Sequence, residues 1–491
     1  MYGYYRQQRP KPPFPQQAYC RYPQPDPCWC YDGPPGPTGP SGPGCELKNI
    51  IDGNTKGSVR GIHTHNDYTM GENAFAIGFD TVASGNASFA QGIRAAASGG
   101  ASHAEGYDTV SNSLASHAEG NAATATGEAA HAEGGSHASG FYAHAEGLSA
   151  KAEGETSHAQ GKSTIASGDN AHAQGHETTA SGENAHSEGR LTTASAFAAH
   201  AQGSETEASG FAAHAEGGGC VAEGSFSHAE GIDTKSTAIG SHAQGISTIA
   251  SGYYSHAEGT ATSTNSYFGA HIMGSYGSAD TAYSWFLANG SGPQNTGLAA
   301  KILRDGNAYI DVAWNAGGAD YAEMYETETG KALEPGCFVT FAGTGKKVRL
   351  AQSYDPFILG ITSAMPGFVA GSGALRWKKK YLTDEWGRIL YEDVALPEVI
   401  DKKGNVLIPA RVESRPMLNP AFDPEKEYLP REHRPEWVKV GLLGMMLVQD
   451  DGTLTSGGYC RPGVNGVATA AHDGWRVLER TGEKQALIFY R

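Results

Sequence analysis

Residues 157–170 read SHAQGKSTIASGDN, and residues 171–184 follow at once as AHAQGHETTASGEN. The two stretches align without a gap: His158 falls on His172, Gly161 on Gly175, and Gly168 on Gly182. Followed in both directions, the same frame carries histidine at His103, His117, His131, His144, His158, His172, His186, His200, His214, His228, His242, His256 and His271. The interval is 14 residues except for one deletion before His144 and one insertion before His271. Upstream, Phe89 and Phe75 hold the histidine position. Residues 71–274 therefore read as about fifteen repeats of one 14-residue unit, the mark of a solenoid whose coils bury their faces against each other.

The unit is a β-coil and not a helix. Two glycines half a period apart would break a helix but suit tight turns between short strands. Within Ser-His-Ala-Glu, alternation along a strand puts His and Glu on one face and Ala on the other. Ala and Ser are expected to fill the narrow lumen, with His and Glu or Gln outside. At about 4.8 Å between stacked strands, fifteen coils make a rod roughly 70 Å long. Stacking also lines identical residues into ladders. A pure Glu ladder would repel itself, but Gln91, Gln160, Gln174, Gln202 and Gln244 interrupt it. The imidazole two residues before each carboxylate suggests a hydrogen-bonded His–Glu network.

The period, the glycine positions and the small-residue frame resemble the head repeats of trimeric autotransporter adhesins (YadA-like), which are left-handed parallel β-rolls. Ala74-Phe75-Ala76-Ile77-Gly78 keeps the apolar form of that motif. The other coils depart from it, with His and Glu or Gln where the family has Val and Ile. The resemblance implies a homotrimer with these positions toward the axis, and hence a polar trimer core that histidine protonation would weaken at acid pH. Thirteen equivalent histidines read as a structural ladder and not as a dedicated metal site. No metal or cofactor is expected.

The flanks differ in composition. Residues 1–32 are rich in Pro, Tyr and Gln, which favours disorder, and contain no apolar run of the kind a Sec-type signal peptide carries. Four triplets, GPPGPTGPSGPG at 33–44, place Gly at every third position as a collagen triple helix requires, which presupposes three chains. Cys20, Cys28, Cys30 and Cys45 crowd this leader without zinc-type spacing, and interchain disulfides suit them better. Residues 45–70 read as a linker. The chain's net charge of −16 argues against nucleic-acid or anionic-lipid partners. No run approaches the ~18 apolar residues of a membrane helix.

Residues 275–310 read as a connector. Residues 311–491 then gain most of the chain's Trp, Lys and Arg, enough to build a true core. Runs such as Phe338–Phe341, Phe357–Ile361 and Gln485–Tyr490 read as strands, so the expectation for the whole chain is all-β. The stretch Gly318-Ala319-Asp320-Tyr321-Ala322-Glu323-Met324-Tyr325-Glu326, with Tyr354–Ile361, Tyr381–Gly387, Arg434–Gly444 and Asp450–Thr453, resembles the peptidase G2 domain. That is a self-cleaving intramolecular chaperone at the C-termini of phage neck-appendage and tail-spike proteins. The resemblance implies a scissile bond near this motif, for which Ala319–Asp320 is the candidate. Asp320, Glu323 and Glu326 are the candidate catalytic acids, since amide cleavage needs one group to activate a nucleophile and another to protonate the leaving amine. No Ser/Lys or Cys/His pairing is evident, and Cys337 and Cys460 read as buried small apolar residues.

These features favour a trimeric surface fibre whose C-terminal domain aligns three copies and is then cut away. Any enzymatic act is at most a single-turnover autoproteolysis. The collagen triplets point to a spore or cell surface, with a surface layer or a host receptor as partner. A phage tail or neck fibre is the alternative, and a peptidase acting in trans lacks any sign of a substrate cleft.

Overall fold

Small residues at fixed intervals make the coils possible. In the computed structural model, which describes residues 50–61 and 69–491 apart from 374, 376, 378, 401–403 and 405, the repeats wind into a parallel β-solenoid. Each regular coil has a five-residue strand beginning at the histidine, such as His158–Lys162, and a two-residue strand such as Ile165–Ala166. Successive coils pair in register, His158 on His172 and Gly161 on Gly175. The irregular spacings are absorbed locally: the His131–Ala138 strand meets His144–Ala152 with a bulge between Gly135 and His137.

The stack is one coil longer than the histidines announce. Trp285 occupies the histidine position of a further strand, Trp285–Asn289, paired in parallel with His271–Ser278. Counting from Phe75–Phe79, the solenoid has about sixteen turns. The repeat thus runs past Gly274 into the stretch expected to be a connector. Two antiparallel strands, Leu298–Ile302 and Ala308–Ile310, close that end. At the other end, Val59–Gly61 pairs with the first coil and with Ile50–Asp52. The leader, the collagen-like triplets and Cys20, Cys28, Cys30 and Cys45 lie outside the described residues.

The lumen is built from Ala and Ser, as expected, and from Thr as well. Ala159, Ala166, Ala171, Ala173 and Ala180 are fully buried, as are Ser157, Thr164 and Thr178. A buried methyl stabilises far less than the ~1.5–3 kcal/mol of a Leu or Phe side chain, so cohesion leans on the backbone bonds between coils. His158 N donates to Ala171 O at 2.9 Å, Ile165 N to Thr178 O at 2.9 Å, and Asn170 N to Glu155 O at 2.8 Å.

The turns are not where the glycines are. The left-handed corners fall two residues after each glycine column, at positions such as Ser163 (φ 57°) and Asn170 (φ 57°). A residue such as Ser163 pays about 1–2 kcal/mol for that conformation, and Asn170 less. The corner amide offsets much of this by donating to the coil beneath, as Ser163 N does to Leu148 O at 2.8 Å. Glycine serves a different purpose. At Gly161 (φ +125°) a Cβ would stand 2.1 Å from the carbonyl oxygen of Gly175. That column is glycine because the next coil's backbone occupies the side-chain space.

The C-terminal part is a mainly antiparallel sheet in the order Val348–Leu350, Phe338–Phe341, Gly360–Thr362, Trp437–Gln449, Gln485–Tyr490, Trp475–Gly482, Tyr459–Pro462, Ala468–Ala471. Its core includes the buried Phe338, Ile361, Val448, Leu454, Val477 and Ile488. The expected Phe357–Ile361 strand is shifted to Gly360–Thr362. Among the described residues the only helical pieces are two 3-10 turns, Arg431–His433 and Val464–Gly466. No helix among the described residues is long and apolar enough to cross a membrane.

Candidate functional site

The Asp320–Glu326 strand joins the sheet along the long Trp437–Gln449 strand, with Asp320 opposite Gly444 and Ala322 opposite Gly441. Its other edge pairs in parallel with Phe368–Ala370. Residues 311–317 upstream are exposed throughout, so the Ala319–Asp320 bond sits where an exposed segment becomes a buried strand. Glycines frame it. A Cβ on Gly444 would lie 2.3 Å from the Ala319 carbonyl oxygen, and one on Gly367 would lie 2.2 Å from the carbonyl oxygen of Gly318. Gly367 N donates to Asp320 O at 2.9 Å. Side chains at these positions would push the neighbouring strands off the bond.

Asp320 is 8% exposed, and its Oδ2 is buried with no hydrogen-bond partner. Gly441 leaves room for it: a Cβ there would stand 3.0 Å from Oδ2. That buried oxygen, free of any donor, is the chemically notable atom beside the bond.

The three candidate acids do not converge within one chain. Strand alternation sends Asp320, Ala322 and Met324 to the buried face and Glu323 to the opposite one. Glu323 accepts from the phenols of Tyr321 at 3.1 Å and Tyr325 at 3.0 Å. Burial and the Glu323 carboxylate push the Tyr325 phenol up to about 12. Glu326 is paired with Lys347 at 2.8 Å. Cys337 and Cys460 are buried and unpaired, and burial raises both thiols, Cys460 to about 12. They pack as small apolar residues, as expected.

Sequence reasoning missed the glycine frame, although Gly441-Leu442-Leu443-Gly444 carried the signal: two glycines three apart within a strand indicate close backbone approach. It also missed the hairpin of Tyr391–Leu396 and Arg411–Pro416, which carries the buried Glu413 back to the last coils of the solenoid. The phenol of Tyr283 donates to Glu413 Oε1 at 2.6 Å, and Arg411 and Arg415 approach the same carboxylate at 2.8 and 3.0 Å.

The histidines form a continuous column. From His103 to His271, neighbouring rings stack at 4.5–4.9 Å. Each Nε2 in this column, including those of His131, His158, His172, His200 and His228, is buried without a hydrogen-bond partner. The expected His–Glu hydrogen-bond network is not formed: His103 and Glu105 stand 3.6 Å apart, and His186 and Glu188 3.9 Å. Bonding runs along the Gln/Glu column instead, from Gln160 to Glu146 at 2.9 Å and from Gln174 to Gln160 at 3.0 Å. Burial, and then neighbouring imidazoles, lower the pKa of His117, His158, His172, His200, His214 and His256. Trios such as His117, Glu119 and His131 bring ligand-type atoms within 4.8 Å of one another. Rings stacked 4.7 Å apart and 2° from parallel do not converge their lone pairs on one ion.

Residues 260–486 match the family model described as Peptidase_G2, IMC autoproteolytic cleavage domain. The pre-neck appendage protein of Bacillus phage B103 is 33% identical over 180 residues, which are 35% of this chain and 19% of that protein. The putative phage-related protein YobO of Bacillus subtilis strain 168 is 34% identical over 179 residues, 36% of this chain and 20% of that protein. The crystal structure of the bacteriophage phi29 gene product 12 C-terminal fragment is 35% identical and covers 35% of this chain and 100% of its own, with a TM-score of 0.28. The chain spans about a fifth of the length of the curated relatives it matches.

Proposed function

We propose that this chain is a virion appendage fibre whose C-terminal domain assembles it as a homotrimer and then cuts itself off at Ala319–Asp320. The observation that carries the reading is the match of residues 260–486 to a self-cleaving chaperone family, alongside the similarity of about a third of the chain to phage pre-neck appendage proteins. It reverses the order expected from the collagen-like triplets. The relatives are a phage pre-neck appendage protein and a phage-related protein of Bacillus subtilis, so the virion stands ahead of the spore or cell surface as the place of this fibre. Adhesion by the solenoid rests on the head-repeat resemblance alone.

A chaperone answers a need visible in the solenoid. Slipping one chain by 14 residues would set His on His and Gly on Gly again, so the repeats poorly define their own register. A separate domain that brings three copies together before the coils zip removes that ambiguity. Cutting it away leaves a product held by kinetics.

The cut is a hydrolysis. Water adds to the Ala319 carbonyl carbon, the C–N bond breaks, and the products are an Ala319 carboxylate and an Asp320 ammonium. The unpartnered Oδ2 of Asp320 is the group assigned to take the proton from water and return it to the leaving nitrogen. Within one chain Glu323 and Glu326 are engaged elsewhere. Their part is assigned to the assembled trimer, where a neighbouring copy supplies the second carboxyl.

The test follows full chains on denaturing gels over time and at several dilutions. Wild type is expected to convert at a rate independent of concentration once assembled, and Asp320→Asn to stay whole. Conversion of the Asp320→Asn chain by added wild type would mean a trans-acting peptidase. An uncut wild type would leave the domain a structural cap.

A further inference from the structure

The Glu413 cluster joins parts of the chain on opposite sides of the proposed cut. Tyr283 belongs to the solenoid, at the left-handed corner of its last coil (φ 53°). Glu413 lies in the hairpin beyond Asp320. The carboxylate is only 9% exposed on its side chain, and both oxygens are used. Oε1 accepts from the Tyr283 phenol at 2.6 Å and from Arg411 Nε at 2.9 Å, while Oε2 accepts from Arg415 at 3.0 and 3.2 Å. Arg411 also lies 5.2 Å over the ring of Phe268, a second solenoid residue, and Arg304 lies 4.8 Å over the ring of Tyr283. Phe268 in turn ends a stacked pair with Tyr253 at 4.8 Å. Donors offset the cost of burying a carboxylate, and here one of the donors comes from the far side of the cut.

We infer that Tyr283, Glu413 and Arg411 form a latch that holds the C-terminal piece on the end of the solenoid after the Ala319–Asp320 bond is broken. The inference rests on the self-cleavage reading for its biological meaning, but its geometry does not depend on it. Because Tyr283 sits on the last coil, the latch can close only when that coil is wound. It therefore ties the chaperone to a finished rod and makes release a step separate from the cut. The Tyr283 phenol and the Arg415 and Arg411 guanidinium groups hold the Glu413 carboxyl down at about 2, so mild acid leaves the contact in place. Its departure would bare Phe268 and Tyr283 on the mature fibre.

The experiment uses full-length wild type, Glu413→Gln and Tyr283→Phe. Denaturing gels report the cut, and size exclusion under native conditions reports whether the two pieces stay together. All three chains are expected to be cut. The wild-type pieces are expected to co-elute, while in both variants the piece beginning at Asp320 separates, with retention weakened roughly tenfold or more, as loss of a hydrogen bond to a charged group implies. Wild-type pieces that part as readily as the variants', or variants that stay together, would overturn the latch. If no chain is cut, the self-cleavage reading falls and the latch is judged separately. A site-specific protease sequence placed at residues 312–316 of each chain then makes the cut, and the same elution patterns decide.

Discussion

Replacing Gly161 by Ala asks whether the glycine columns serve close backbone approach or turning. At φ +125° the new Cβ would stand 2.1 Å from the Gly175 carbonyl oxygen and 3.0 and 3.1 Å from its carbon and nitrogen. Backbone strain of this kind costs about 1–3 kcal/mol. The coils must also part by about an ångström, which breaks hydrogen bonds between His158–Lys162 and His172–His176 at about 1–3 kcal/mol for each buried group left unpaired. The sum is about 3–6 kcal/mol, and since 1.4 kcal/mol is tenfold, amides of these two strands should lose protection by about a hundredfold or more. Hydrogen exchange of the full chain, resolved by peptide, reads this directly. The control is Ser163→Gly at the adjacent corner. There the relief of left-handed strain and the added freedom of the unfolded chain nearly cancel, leaving a change within about 1 kcal/mol. Unchanged protection in Gly161→Ala, or greater damage from Ser163→Gly, would refute the assignment.

Three other outcomes follow from the same geometry. The histidine column should lower the melting temperature of the rod as pH falls from 7 to 5. Its folded pKa values lie below the unfolded ~6.5, so below that pH the unfolded chain takes up protons that the folded chain refuses. The slope is at most about 1.4 kcal/mol per pH unit for each histidine kept neutral. It is reduced here because the rings are about a third exposed. His172→Phe, which copies the residue found at Phe75 and Phe89, should blunt the fall, and a melting temperature flat across this range would contradict the account. Ala173→Leu should overfill the lumen and cost about 1–3 kcal/mol, measurable as lost exchange protection in the flanking coils.

Much of the solenoid was legible because its physics repeats. A 14-residue period, Ala and Ser at lumen positions and His at an outward position are each stated over a dozen times in the sequence. What stayed hidden was whatever the repeat does not encode. The corners were misplaced because Ser163 and Leu191 (φ 56°) have side chains that ordinarily avoid positive φ, and only stacking on the coil below makes it acceptable. The Trp285 coil escaped because Trp replaced His. In the C-terminal domain the acids of 320–326 looked like a cluster in sequence. A strand separates odd from even positions, so Asp320 and Glu323 part company. The Tyr283–Glu413 contact spans 130 residues, a separation that no local pattern bridges.

The most direct measurement is the N-terminal sequence of every species in a purified, fully incubated preparation of the whole chain. The account predicts a second terminus reading Asp-Tyr-Ala-Glu, beginning at Asp320, that is missing from the Asp320→Asn protein. A preparation with no internal terminus, or one whose internal terminus lies away from residue 320, would contradict it.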